Sequence, residues 1–163
     1  AQQNNVGDYE SENTARWIYS EGIKRFPNAA ALYLPYANME VFHHSAGRAR
    51  DILRQALQYS DYSIGSLAVL EFFYGNIDSG DTFCTKQLMV RMDAQKDHSV
   101  NAIKYLYHCS LLLNQTEEAA HYHKLLMQRP DYDPSNTKVG EFIQMCKEAV
   151  ASESAEKRQS TND

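Results

Sequence analysis

The sequence predicts an all-α protein, a right-handed superhelical stack of about four antiparallel helix pairs. Three observations carry that prediction. First, residues 14–40 read as helix, turn and helix: Ala15, Ile18, Tyr19, Gly22, Ile23 and Phe26 recur at helical spacing along one stripe, and Pro27 and Asn28 stop it. Second, the stripe returns 34 residues on as Ala49, Ile52, Leu53, Ala56 and Leu57, then 36 further as Thr85, Leu88, Met89 and Met92. It returns once more after another 34 as Ala119, Tyr122, His123, Leu126 and Met127. A period near 34 made of two helices marks a helical solenoid, in which a unit buries its apolar stripe only against its neighbours. Third, the apolar runs 67–73 and 111–113 lie inside longer helical periodicities, without the alternation or tight turns of strands.

Taken in order, residues 1–8 are polar and predict a flexible start, and 9–151 form the repeat domain. Its first helix covers 9–26 and its second 29–43, with Pro35 either starting the regular helix or kinking it. Ser45 and Gly47 interrupt the chain before 46–59, and the turn 60–63 offers caps for 64–76. After the loop Asp78-Ser79-Gly80-Asp81 come 81–95, 99–114 and 116–128. A second loop, 130–136, holds two prolines and leads to 137–151. The remainder, 152–163, is polar and predicts a disordered tail.

A chain of 163 residues, 43% apolar with 11 tyrosines, is long enough for one continuous core. Its net charge of −5 disfavours direct RNA contact, because phosphate binding needs a basic surface. No apolar run approaches the roughly 20 residues needed to cross a bilayer, and no signal-like segment lies near Ala1, so no membrane association is expected. Cys84, Cys109 and Cys146 are odd in number and widely spaced, which fits buried thiols in a reducing, intracellular setting, nuclear or cytoplasmic. The Asn114-Gln-Thr116 sequon stands alone, with no other sign of secretion.

No catalytic constellation is expected, nor any cofactor or metal. His43 and His44 point about 100° apart on a helix, and His121 and His123 lie on nearly opposite faces, so neither pair makes a clamp. Tyr105 and Cys109 share a face near His108, but Cys109 falls in an apolar stripe with Leu106 and Leu113 and reads as core. Gly75, Gly80 and Gly140 are isolated and form no phosphate loop. Asp81, Asp93, Asp97, Glu117 and Glu118 read as caps and solvated faces. The chain is expected not to be an enzyme.

Arg16, Ile18, Tyr19, Gly22, Ile23 and Pro27, followed by Tyr33, Tyr36, Ala37 and Glu40, form a pattern that resembles the half-a-tetratricopeptide (HAT) repeat, a relative of the tetratricopeptide (TPR) repeat. The second copy keeps Arg50, Ile52, Leu53, Ala56 and Leu57, lacks the turn proline, and carries Glu71 a few residues early. Copies three and four keep only the apolar skeleton, so the likeness covers roughly 14–150. The resemblance implies a non-catalytic scaffold that grips other subunits or peptide segments, in RNA processing. Two alternatives accompany it: a TPR-type receptor for short acidic peptide tails, and an RNA-binding helical array. It also implies that the first helix of each pair lines a concave side, where Arg16, Lys24, Arg50 and Arg54 would meet a carboxylate-bearing partner. The competing expectation is that these are solvated positions balanced by Glu12, Glu21 and Asp51. Trp17 lies beside the core stripe and is the candidate interface aromatic, for a partner subunit or a second copy of the chain.

Overall fold

The computed structural model describes residues 2–95 and 98–162, with side chains described for 10–95 and 98–160; Asp97, read above as a cap, lies outside them. The described residues form eight helices and no strand: α1 (Gln2–Arg25), α2 (Ala30–Phe42), α3 (Ala46–Ala56), α4 (Ile64–Asp78), α5 (Phe83–Asp93), α6 (Val100–Leu112), α7 (Thr116–Gln128) and α8 (Lys138–Asn162). Pro35 lies inside α2, which starts five residues before it at Ala30.

The two outer helices run further than their apolar stripes. Helix α1 starts at Gln2 rather than at 9, and α8 continues past 151 to Asn162. The added residues of α8 include Ser, Glu, Ala, Lys, Arg and Gln, several of which propagate a helix without needing an apolar partner. Glu153, in that extension, is also tied by hydrogen bonds to Gly47 and Tyr74.

The repeat is visible in the backbone itself. His44, Gly80 and Asn114 adopt positive φ of 61°, 69° and 59°, and their spacings of 36 and 34 residues match those of the side-chain stripes. A helix-ending hydrogen bond spans five residues at each: Ser45 N to Glu40 O, Gly80 N to Gly75 O, and Gln115 N to Ser110 O. Left-handed residues of this kind end a helix abruptly, which lets the next one fold straight back. Hence packing is densest within the hairpins α2–α3, α4–α5 and α6–α7. The tight turns join the second helix of one unit to the first helix of the next.

Helix α4 is the centre. Every residue from Ile64 to Tyr74 is buried, including Ser66 and Glu71. A helix with so much of its circumference apolar must be covered on all sides. Helices α3, α5 and α6 cover three of them, and Gly65 permits the close approach of α6: a Cβ there would stand 2.4 Å from Tyr105 Cγ. The fourth side is covered by α8.

That placement corrects the expected pairing of 116–128 with 137–151. Helix α8 packs against α2, α3, α4 and α6, and among the described residues it makes no contact with α7. The linker turns the chain away: Arg129 Nη1 donates to His98 O at 2.6 Å, Lys104 Nζ donates to Asn136 O at 3.4 Å, and the same ammonium lies 5.7 Å from the Tyr132 ring centre. Gly140 then passes His108 of α6, and Glu153 ends against α3 and α4. Between those two residues α8 covers about 20 Å across the array.

Candidate interaction site

Of the four basic residues singled out by sequence, three are engaged inside the protein. In the first unit Arg16 Nε donates to Glu40 Oε1 at 2.9 Å, and its Nη2 donates to Glu12 Oε1 at 2.6 Å. Glu40 is fully buried among the apolar residues of α2. Its second oxygen accepts no hydrogen bond and has Arg48 Nη1 at 3.7 Å, while Glu12 Oε2 lies 3.4 Å from His43 Nδ1. The hydrogen bond to Glu40 outweighs burial and raises the Arg16 pKa.

The second unit repeats the device one turn out of register. Arg50 donates from Nε to Glu71 Oε1 and from Nη2 to Glu71 Oε2, both at 3.0 Å, and Arg54 Nε reaches Oε1 at 2.8 Å. Tyr74 takes the place that Glu40 holds in the first unit; the Arg50 guanidinium lies 4.5 Å from its ring centre. The Tyr74 hydroxyl donates to Glu153 Oε2 at 2.7 Å, and the same oxygen accepts from Gly47 N at 2.8 Å. A polar chain, Glu71–Arg50–Tyr74–Glu153, thus joins α4, α3 and α8. Bidentate arginine with a buried carboxylate is a strong, directional contact, and breaking it leaves a charge without its partner. Arg50 and Arg54 are therefore held by an internal carboxylate rather than standing as solvated positions. Helix α8 packs on α2, α4 and α6, the second helices of the pairs, and on α3, a first helix.

Lys24 and Trp17 are different. Lys24 is exposed and, among the described residues, pairs with Glu21, one turn away at 3.2 Å. Trp17 is 64% exposed and its neighbour Ile18 57%. Both belong to α1, which among the described residues packs on α2 alone, through the stacked rings of Tyr19 and Tyr36 and the close approach of Gly22 to Leu32. At the other end of the array α7 packs mainly on α6, and its Tyr122 hydroxyl donates to Asp93 Oδ1 at the end of α5 at 3.0 Å. Its exposed positions are mostly Thr, Glu, His, Lys and Gln, with Met127 the large apolar exception. One end therefore wears the polar surface of a terminal repeat, and the other presents tryptophan and isoleucine. Ile18 stands at the repeat position of Ile52, which is buried in α3. Sequence reasoning put Trp17 beside the stripe but kept Ile18 within it.

The remaining chemistry is that of a core. Burial pushes the Cys109 thiol up to about 12 and raises that of Cys146 as well, while Cys84 is exposed. Burial, with Lys104 nearby, lowers the His108 pKa. Among the described residues no three His, Cys, Asp or Glu side chains stand together as a metal site, and no helix is long and apolar enough to cross a membrane. No family model, curated protein or solved structure matches the chain.

Proposed function

We propose that this chain is a non-catalytic protein–protein interaction scaffold, a subunit of a multi-protein assembly, and that it docks through the outer face of α1. The observation that carries the reading is the exposure of Trp17 and Ile18 on a terminal helix whose counterpart α7 is mostly polar. Burying two such side chains beneath a partner is worth about 1.5–3 kcal/mol each. Lys24 and Arg25, each seven residues and so about two turns beyond Trp17 and Ile18 along α1, give that face a basic end. It therefore suits an amphipathic helix that carries apolar residues and an acidic end. The HAT resemblance of residues 14–40 directs the search to RNA-processing assemblies, in the nucleus or cytoplasm, and to a right-handed superhelical stacking of the hairpins.

A receptor for short acidic tails built on Arg50 and Arg54 is the weaker reading, since both cations are held by Glu71. The test is affinity capture from an extract of the source cells, comparing the parent chain with a Trp17→Ser/Ile18→Ser variant. The reading expects subunits of one assembly with the parent, at least tenfold less with the variant, and equal thermal midpoints. Equal capture by a normally folded variant overturns it, and recovery of a second copy of the chain alone would replace the partner subunit by a homodimer.

A further inference from the structure

We propose that the inner groove lined by α2, α3, α4 and α6 is a helix-binding groove that α8 fills as a built-in ligand. The partner it accepts in exchange is an amphipathic helix with an apolar stripe at alternating spacings of four and three residues, closed by a glutamate. This surface is separate from α1, with which α8 makes no contact among the described residues, so either reading can fail while the other stands.

The template for that partner is α8 itself. Val139, Ile143, Cys146 and Val150 are buried at spacings of four, three and four, and Glu153 follows three residues later at the next seam position. That is the pattern of a helix lying along other helices, and a polar residue at one seam position fixes its register. The carboxylate enters a shaped place. Gly47 N and the Tyr74 hydroxyl both donate to Glu153 Oε2, at 2.8 and 2.7 Å. A Cβ on Gly47 would stand 2.8 Å from Oε1, so glycine lets the carboxylate lie against the backbone without shifting. Beside it opens a cleft of about 310 Å³, lined in part by Ile77, Val150 and Lys157, where α8 leaves the groove.

The connectivity makes exchange feasible. Helix α8 does not rest on α7, its neighbour in sequence. The linker 129–137 can span about 30 Å when extended, so α8 can leave the groove with the α6–α7 hairpin intact. Near its far end the Glu153 carboxylate is received by two donors, and residues 155–160 beyond it are exposed. An apolar helix face laid in a groove and registered by one polar contact is a recurring mode of peptide recognition.

The experiment uses the full chain and a fluorescent peptide of residues 138–160, together with the same peptide carrying Glu153→Gln. In a Glu153→Gln protein the built-in helix is held less firmly, and the apparent affinity for the added peptide rises with the open fraction. The expected result is at least tenfold tighter binding of the parent peptide to that variant than to the unaltered protein, and at least tenfold weaker binding of the Gln peptide. Absence of binding to either protein, or equal binding of the two peptides, overturns the proposal. Native-state amide exchange of the unaltered chain gives a second reading that needs no variant. Protection of α8 at least tenfold below that of α4 supports exchange, and equal protection makes α8 a permanent part of the core.

Discussion

Arg50 holds Glu71 in a fork, two parallel hydrogen bonds of 3.0 Å between α3 and the buried centre of α4. Glu71 is 5% exposed, and Arg54 is its second cation. Loss of one partner of a buried pair costs more than loss of both, because the survivor is left charged in a poor solvent. Arg50→Ala is therefore expected to lower stability by about 1–3 kcal/mol, moderated by Arg54 and by the partial exposure of Arg50 itself. Arg50→Met with Glu71→Met is expected to lie closer to the parent than Arg50→Ala alone. Urea unfolding measures both, and an Arg50→Ala chain as stable as the parent contradicts the role assigned to the pair.

Two glycines give opposite outcomes. Gly65→Ala places a methyl 2.4 Å from the Tyr105 ring, where α4 and α6 meet, and is expected to cost about 1–3 kcal/mol. Gly140→Ala meets nothing closer than His108 Cε1 at 3.9 Å, within α8, and is expected to gain about 0.5–1 kcal/mol from helix propensity. Thermal denaturation of the two variants ranks them, and the reverse order would misplace α6 and α8 on the core.

Thiol chemistry reports on the same core. Cys84 is expected to react with a disulfide reagent at the rate of an exposed thiol, and Cys109 and Cys146 only on unfolding. Burial raises the Cys109 pKa to about 12, against about 8.5 for an unfolded thiol, and Tyr105 is raised to about 12 from about 10. In each case the fold favours the protonated form. The stability this contributes is present below the unfolded pKa and is lost as pH rises through the folded one. The unfolding midpoint is expected to fall steadily above about pH 9, and rapid labelling of all three thiols at neutral pH would contradict the burial.

Local features were legible in the sequence where one residue decides them. The stripes of Ala49, Ile52, Leu53 and Ala56, and the apolar run 64–74, appear in the structure as a buried face and a buried helix. The second helices carried a further signal that pattern reading passed over. Glu40 and Glu71 are single acids within apolar stretches, and a buried carboxylate calls for a cation. Arg16, Arg50 and Arg54 are the cations that answer it. Read from helical spacing alone, they look the same as solvated positions. The course of α8 was not legible, because a repeating stripe says which face is buried and not which helix covers it. The missing fact was the uncovered side of α4, which exists only once α3, α5 and α6 have been placed.

The central claim is that α8 closes the inner face of the array and ends on α3 and α4. A double-mutant cycle between Tyr74→Phe and Glu153→Gln in the full chain measures that contact directly, since the 2.7 Å hydrogen bond joins residues 79 apart in sequence. The account predicts a coupling energy on the order of 1 kcal/mol, with each single variant less stable than the parent. Additive effects, with no coupling beyond a few tenths of a kcal/mol, would place α8 elsewhere and contradict it.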